Sequence, residues 1–265
     1  MPMHQIWRTW WCSSRAAFCK AASMGSSDRG AVVAARNNSQ WCDAVCRSHG
    51  LPGSFAPDAW TNPRRTPPYY PDAVTLQPAA GPETILARVD TTSGCTIKDS
   101  FSCLDLSGLG FHVLFDAEWI YRPARPSRAT ATVRSGWVRV ATSASLALWE
   151  KAWAANDAAP GLFRPELLAD ESIVILGRMV ADCIVAGAIA NLAEDVVGVS
   201  NVFTTTSPEG DSWTSCVEAI AERFPGRPIV GYESGATLVA AQRCGFSSVG
   251  PVRVWSNGND NHRDS

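Results

Sequence analysis

The hydrophobic pattern of the chain changes period several times between residues 196 and 255, and each change coincides with a turn signal. A β-branched run from Val196 to Phe203 predicts a strand, and Pro225 with Gly226 marks the end of the helix that follows it. The apolar residues of that helix share one face: Trp213, Cys216, Val217, Ile220 and Phe224. A short buried strand, a helix closed by Gly245 and a last strand complete a β-α-β-α-β order.

The chain before residue 196 also alternates between strand and helix patterns. Residues 30–49 predict a helix, and residues 51–71 an extended segment lying over the protein body, because proline is too frequent there for a helix or a central strand. A β-α-β-β pattern follows up to residue 122, and a strand, an amphipathic helix and two strands occupy residues 133–193. The pattern therefore predicts an α/β protein of two units joined around residues 121–135.

This order gives the following division of the chain. We expect a mobile arm over residues 1–29, an N-terminal α/β unit over residues 30–125, a C-terminal domain over residues 126–257 and a disordered tail over residues 258–265. Similar element orders in the two units suggest a duplication, although no register of identical residues relates them.

Composition excludes several classes of function. The net charge of −2 gives no overall electrostatic case for binding nucleic acid or a membrane surface, and no apolar run approaches the ~20 residues of a membrane span. The 9 cysteines follow no regular disulfide spacing, and the N-terminus lacks a continuous apolar core typical of a secretory signal. We therefore expect a soluble, cytoplasmic protein.

Three potential metal ligands, Cys42, Cys46 and His49, fall on one face of the first predicted helix. Two thiolates and an imidazole are suitable zinc ligands, but a structural zinc site needs a fourth ligand, and none is evident from the spacing. Cysteine is also among the residues most often buried in cores. We therefore predict packing at this face and no metal.

The predicted joint between the two units is the one locally basic stretch of the chain. It carries four arginines and no acidic residue: Arg122, Arg125, Arg128 and Arg134. These residues suit a solvated linker, or contact with the phosphates of a cofactor or of an RNA such as tRNA.

The C-terminal element order, with a helix that ends in Ala241-Gln242-Arg243-Cys244-Gly245-Phe246, resembles the C-terminal half of the Gcn5-related N-acetyltransferase (GNAT) superfamily. The resemblance covers about residues 171–255. It implies a mixed central sheet flanked by helices, and acetyl-coenzyme A or another acyl-coenzyme A as the cofactor. The family's pyrophosphate loop usually reads Q/R-x-x-G-x-G/A, whereas residues 207–212 read Ser-Pro-Glu-Gly-Asp-Ser.

The same resemblance implies a cofactor cleft between the strand at Val199–Phe203 and the helix after it. In this family a backbone amide of that strand polarises the thioester carbonyl. The residues expected to bind cofactor are Val199, Ser200, Phe203, Ser207, Gly210, Asp211, Ser212 and Trp213.

The candidate catalytic residues are carboxylates, a tyrosine and an amide. Asp116 and Glu118 are two positions apart and share one side of a predicted strand, and Glu233 follows a buried strand at the edge where α/β proteins bind ligands. Tyr232 is the last tyrosine of the chain and the candidate general acid that the resemblance implies, while Asn201 can line the cleft. Glu233 is equally suited to cap the helix that follows it. The Asp116–Glu118 pair is equally typical of an exposed edge strand.

Two functions remain open at this point. One is an acyltransferase that moves an acyl group from acyl-coenzyme A, or an aminoacyl group from aminoacyl-tRNA, to the amine of a small molecule. The other is a non-catalytic ligand-binding or partner protein that keeps the fold after losing coenzyme A binding.

Overall fold

The computed structural model describes residues 26–124, 136–154, 161–205 and 209–258, and the side chains of these residues except 26–28 and 209–212. Residues 259–265 of the tail expected over 258–265, and most of the expected N-terminal arm, lie outside the described residues. The first helix begins at Ser26, a few residues earlier than the hydrophobic pattern indicates.

The first half of the chain contains two helices and five strands within its described residues. They are α1 (Ser26–Ser48), β1 (Ser54–Phe55), β2 (Ala59–Thr61), β3 (Ala73–Thr75), α2 (Pro82–Leu86), β4 (Thr96–Asp99) and β5 (His112–Arg122). The extended segment at 51–71 supplies β1 and β2, with Trp60 and Tyr70 buried and Phe55 and Tyr69 exposed. Its Arg64 donates a hydrogen bond to the Gly50 carbonyl, so this guanidinium is engaged by the protein itself.

The second half of the chain contains three helices and six strands in the part that the structure describes. They are β6 (Trp137–Arg139), α3 (Ser143–Ala154), β7 (Ile173–Val180), β8 (Cys183–Ala193), β9 (Val196–Thr204), α4 (Glu209–Arg223), β10 (Ile229–Glu233), α5 (Gly235–Arg243) and β11 (Ser247–Ser256). The predicted order of elements between residues 196 and 255 is confirmed.

The eleven strands in these described ranges form one mixed sheet. Their order is β1-β2-β3-β4-β11-β5-β10-β9-β8-β7-β6, with β3/β4 and β9/β10 parallel and the other neighbours antiparallel. Strand β5, from the first half of the chain, lies between β10 and β11 from the second half. Both halves therefore contribute to the centre of the same sheet.

Helices cover both faces of this sheet. Helices α4 and α5 bury one face, where Val197, Val199 and Ile229 contact the apolar side of α4. Helices α1 and α3 bury the other face, where α1 packs on Trp119 and Val230. Strands β7 to β9 read as nearly continuous apolar runs because both of their faces are covered.

Two side-chain amides fix α1 to the hairpin between β8 and β9. The Asn37 Nδ2 atom lies 3.2 Å from the carbonyls of Asn191 and Ala193 and 3.1 Å from that of Val196. The Asn191 Nδ2 atom donates in return to the Asn37 Oδ1 atom at 3.1 Å. Because these amides are buried, they satisfy backbone carbonyls that water does not reach.

Candidate functional site

Strands β9 and β10 separate soon after they begin. Their parallel pairing is limited to Ile229 with Val197 and Val230 with Gly198. Beyond these pairs β9 continues beside β8 as far as Thr204, and β10 continues beside β5 as far as Glu233. The sheet therefore opens between β9 and β10 at their carboxyl ends, and the edge of β9 that faces the opening has no ladder partner among the described residues.

A β-bulge lies on β9 within this opening. Ser200 pairs with Ile189 and Phe203 pairs with Gly187, so Asn201 and Val202 together stand opposite the single residue Ala188. Asn201 has a φ of 54°, a left-handed conformation that asparagine tolerates better than most residues. Such a bulge leaves one residue outside the ladder, and so frees backbone hydrogen-bonding groups at the opening.

A glycine sets the point at which the strands diverge. A Cβ atom on Gly231 would lie 2.9 Å from the carbonyl oxygen of Val199 and 3.1 Å from its Cγ1 atom. The two strands are thus in close contact at Val199 and open beyond it. Next to this point the Ser200 Oγ atom is buried and has no hydrogen-bond partner among the described residues.

The far wall of the opening carries two carboxylates. Glu233, the last residue of β10, is in register with Glu118 of β5 across an antiparallel pair. Residues directly opposite in such a pair have Cβ atoms ~4.5–5.5 Å apart. The structure therefore brings Glu118 and Glu233 together, although they are far apart in the chain.

Tyr232 points to the opposite face of β10 from Glu233. Its ring packs edge-on against Trp119, with 5.5 Å between the ring centroids, and the Lys98 Nζ atom lies 4.2 Å from its centroid. Phe115, Ala117, Tyr232, Glu233 and Ser234 line a small, open pocket at this end of β10.

Solved structures with the same architecture include a GCN5-related N-acetyltransferase from Kribbella flavida, with a TM-score of 0.55 at 17% identity. That alignment covers 87% of this chain and 98% of the other protein. The chain has the GNAT fold. A protein described as a GNAT-family acetyltransferase from Novosphingobium aromaticivorans matches with a TM-score of 0.51 at 12% identity, over 85% of this chain and 99% of its own. No known family profile and no curated relative matches the sequence.

The GNAT fold places two of the residues predicted for cofactor binding inside the core. Val199 is buried between the sheet and α4, and Trp213, a buried residue of α4, packs edge-on against Phe246. Phe203 packs on Trp149 of α3, with 5.2 Å between the ring centroids. Ser200, of the residues predicted for cofactor binding, lies next to the bulge, and Asn201, which was predicted as a catalytic residue, belongs to the bulge itself.

The predicted pyrophosphate loop is only partly described. Ser207 lies outside the described residues. Gly210, Asp211 and Ser212 form the first turn of α4, which begins at Glu209, so Asp211 and Ser212 lie inside the helix and not at its N-cap. Helix α4 begins at Glu209, a few residues along the chain after β9 ends at Thr204, and unpaired backbone N–H groups at a helix N-terminus favour anions.

Asp116 is engaged in an ion pair. Its two carboxylate oxygens accept hydrogen bonds from Arg253, at 2.7 Å from Nε and 2.9 Å from a terminal nitrogen. This bidentate contact raises the pKa of the Arg253 guanidinium. Asp116 therefore serves the β5–β11 pairing, and of the two predicted strand carboxylates only Glu118 faces Glu233.

The expectation that Arg122 lies in a solvated basic linker is wrong. Arg122 belongs to β5, pairs with Ile229 and is 6% exposed, so it is not available to the phosphates of an RNA. Alternation along the strand places it on the same face as Ile120, beneath the α4 and α5 layer. Arg125, Arg128 and Arg134 lie outside the described residues.

Lys98 is a residue of this region that the sequence reasoning missed. It is 4% exposed, and its ammonium donates to the Asn38 Oδ1 atom at 2.8 Å while lying over the Tyr232 ring. The only sequence signal is its position between Ile97 and Asp99 in a predicted strand, which is equally typical of a solvent-facing lysine. Tertiary structure brings Lys98 beneath the pocket because β4, β11, β5 and β10 are neighbours in the sheet.

The three potential metal ligands, two in α1 and His49 directly after it, are engaged in packing and hydrogen bonding. Cys42 and Cys46 are buried, and the His49 Nε2 atom lies 2.8 Å from the Leu162 carbonyl oxygen. In the described ranges no group of three or more histidine, cysteine or acidic side chains is arranged to hold a metal ion. Nor is any helix in these ranges both long and apolar enough to cross a bilayer.

Cysteine reactivity provides a test of this packing. Burial raises the pKa of Cys46 to about 12 and that of Cys95 to about 11, so at pH 8 about one Cys46 thiol in 10⁴ is ionised. We expect iodoacetamide at pH 8 to modify the exposed Cys183 at least about 100-fold faster than Cys46 or Cys95. Peptide mapping by mass spectrometry measures each site, and urea-unfolded protein is the control in which the rates converge. Rapid modification of Cys46 in folded protein would contradict the packing of α1.

Proposed function

We propose that the protein is an acyltransferase that moves an acyl group from a coenzyme A thioester to an amine of a small molecule. The observation that carries the proposal is the opening between β9 and β10, with a bulge at Asn201 on one side and the Glu118–Glu233 pair on the other. The two GNAT-fold proteins described above are named as acetyltransferases, which supports the same reaction class.

The residues present fit a coenzyme A thioester. The unpaired edge of β9 and its bulge supply backbone N–H donors, and Ser200 supplies a buried hydroxyl that makes no bond within the described structure. The first turn of α4 supplies further N–H groups suited to phosphates. When bound, the thioester would provide an activated acyl group.

The groups that line the opening then have distinct roles in the proposed acyl transfer. The backbone N–H groups at Asn201 and Val202 hold the acyl oxygen and stabilise the negative charge that develops on it. Glu233, at the end of β10, accepts a proton from the acceptor amine, and Glu118 opposite it adds negative charge that favours binding of an ammonium. Tyr232 lies on the other face of β10 from Glu233, where its ring packs against Trp119, so we assign it no step of the transfer.

The Ser200→Ala variant tests whether the Ser200 hydroxyl binds the cofactor or stabilises the fold. We expect the free energy of unfolding to stay the same or rise by up to about 1 kcal/mol, because the variant removes a buried hydroxyl that makes no hydrogen bond in the described structure. We expect acetyl-coenzyme A to bind about 3- to 10-fold more weakly, through the loss of one hydrogen bond. Urea unfolding and isothermal titration measure the two effects. A loss of stability with unchanged affinity would assign the hydroxyl to the fold.

Isothermal titration of the full chain with acetyl-coenzyme A tests the proposal itself. We expect saturable binding that is lost in Gly210→Trp, in which a bulky side chain enters the first turn of α4. Phe55→Trp, on the distant edge strand β1, is the matched control and should bind like the wild type. Absence of binding at millimolar ligand would exclude the thioester donor. The non-catalytic function, or aminoacyl-tRNA as the donor, would then take its place.

A further inference from the structure

Strand β6 is the last strand on one side of the sheet, and its outer edge has no strand partner among the described residues. An unpaired edge is a template for another strand, and soluble proteins usually protect it with several charges or a proline. The three residues of β6 are Trp137, Val138 and Arg139, so this edge carries a single charge. Helices α3 and α4 pack mainly over β8 and β9, two and three strands away, and leave room beside β6.

The backbone of β6 directs two of its three residues outward. The Val140 N–H donates to the Ile175 carbonyl oxygen at 2.8 Å, so Val140 bonds inward to β7. Because this direction alternates along an antiparallel strand, Val138 also bonds inward, whereas the N–H and C=O groups of Trp137 and Arg139 point away from β7. The free edge therefore offers two donors and two acceptors.

The side chains of β6 divide between the two faces of the sheet. Trp137 packs on the face that α4 covers, and Arg139, two residues further on, shares that face. Arg139 is exposed and makes no hydrogen bond or ion pair in the part of the chain that the structure describes. Val138 lies on the opposite face and is 47% exposed. An indole and an unpaired guanidinium thus share one face of an unpaired edge.

We propose that β6 pairs antiparallel with β6 of a second copy of the chain, about a twofold axis at Val138. Trp137 of each copy then lies opposite Arg139 of the other, and the outward backbone groups of these residues form four hydrogen bonds. On the face that α4 covers, each guanidinium stacks on the indole opposite it, a favourable cation–π contact. On the other face the two Val138 side chains meet as a non-hydrogen-bonded pair, with Cα atoms ~4.5 Å apart.

Other registers of the same pairing are less favourable. An axis at Arg139 would set two guanidinium groups directly opposite each other, and like charges in that position are destabilising. An axis at Trp137 would leave Arg139 without a partner in β6 of the other copy. Arg178 of β7 faces Trp137 and lies two strand spacings, or ~10 Å, from Arg139 of the second copy. That distance exceeds the screening length of ~8 Å at physiological salt, so the repulsion is small.

The short pairing predicts a reversible dimer. Stable complexes bury ~1,200–2,000 Å², and three residues from each copy bury much less, so we expect a dissociation constant of about 10–300 µM. Sedimentation velocity of the full chain from about 5 to about 500 µM measures it. The prediction needs no coenzyme A, so its failure and the failure of the proposed function are distinguishable.

Arg139→Pro tests the pairing with little effect on the fold. The lost N–H points away from β7, and proline is tolerated on an edge strand in that orientation. The variant loses two of the four hydrogen bonds and both cation–π contacts, so we expect dimerisation to weaken at least about 30-fold. Arg139→Glu keeps the N–H and should weaken it at least about tenfold. Phe55→Ala, on the opposite edge strand β1, is the control and should dimerise like the wild type.

Val138→Cys locates the axis. The ~4.5 Å between the two Cα atoms is within the range of a disulfide, so we expect diamide to join two chains through residue 138. Peptide mapping identifies the link, and adding Arg139→Pro to this variant should suppress it. The wild type, with its exposed Cys183, is oxidised in parallel.

Three results would overturn the proposal. They are a chain that remains monomeric at about 500 µM, a dimer that persists in both Arg139 variants, and the absence of a link between the two residues 138. Thermal unfolding shows whether each variant is folded. If Arg139→Pro unfolds, Arg139→Glu and the Val138→Cys link decide the outcome.

Discussion

Glu233→Gln is expected to lower kcat for acyl transfer about 100-fold or more. The substitution keeps the size of the side chain but removes the carboxylate that we propose takes the amine proton, and a positioned base contributes ~10²- to 10⁴-fold to the rate. Glu233 is the last residue of β10, next to the point where β9 has separated. Binding of acetyl-coenzyme A should change little, since we propose that the donor lies against β9. Steady-state kinetics at saturating donor measures kcat, and isothermal titration measures binding.

Glu118→Gln is the matched control for that experiment. It removes the same charge from the residue directly opposite on β5, but β10 separates β5 from the opening, so we expect a loss below about tenfold. Thermal unfolding of both variants shows whether they remain folded. A larger loss in Glu118→Gln would transfer the role of base to Glu118. Less than a threefold loss in both variants would exclude both carboxylates from proton transfer.

Gly198→Ala is expected to lower the free energy of unfolding by about 3 kcal/mol. A Cβ atom at this position would lie 2.0 Å from the Asn37 Oδ1 atom and 2.3 Å from the Asn191 Oδ1 atom. The Asn37 amide would have to move away from the carbonyls of Asn191, Ala193 and Val196, and the Asn191 amide from the two Asn37 oxygen atoms to which it donates. Buried polar groups left without partners cost ~1–3 kcal/mol each. Two amides without partners are therefore sufficient to lower the free energy of unfolding by about 3 kcal/mol.

Gly108→Ala is the control, because a Cβ atom at Gly108 meets nothing within 4 Å. Urea unfolding should give wild-type stability for Gly108→Ala and a lower transition midpoint for Gly198→Ala. The glycine also lies directly before the opening in β9, so the destabilised variant should bind acetyl-coenzyme A more weakly as well. Equal stability of the two variants would show that the amide pair contributes little to attaching α1.

The sequence contains strong local signals for the elements between residues 196 and 255. The strand β9, the buried face of α4 and the end of α5 at Arg243, just before Gly245, depend on periodicity and turn residues within each segment, which are local properties. The position of Glu233 at the end of a buried strand can be predicted from the sequence for the same reason. Pairing partners, in contrast, are set by contacts between distant segments. The sequence therefore gave no indication that β5 lies between β10 and β11.

The electrostatic partners of the charged side chains could not be predicted from the sequence either. Asp116 and Glu118 look equivalent in a strand pattern, but the β5–β11 register joins Asp116 to Arg253 and the β5–β10 register sets Glu118 opposite Glu233. Lys98 resembles a surface lysine until β4 brings it beneath Tyr232. The bulge at Asn201 depends on the register of β8 against β9 and has no local sequence signal.

The sequence by itself determined the order of elements in the second half of the chain and the resemblance to GNAT proteins, because each element depends on residues that are neighbours in the chain. The tertiary structure alone decided which carboxylates meet, which aromatic rings line the pocket and where β9 leaves β10. These features depend on strand registers between segments far apart in the chain, and register follows from the packing of helices on both faces of the whole sheet.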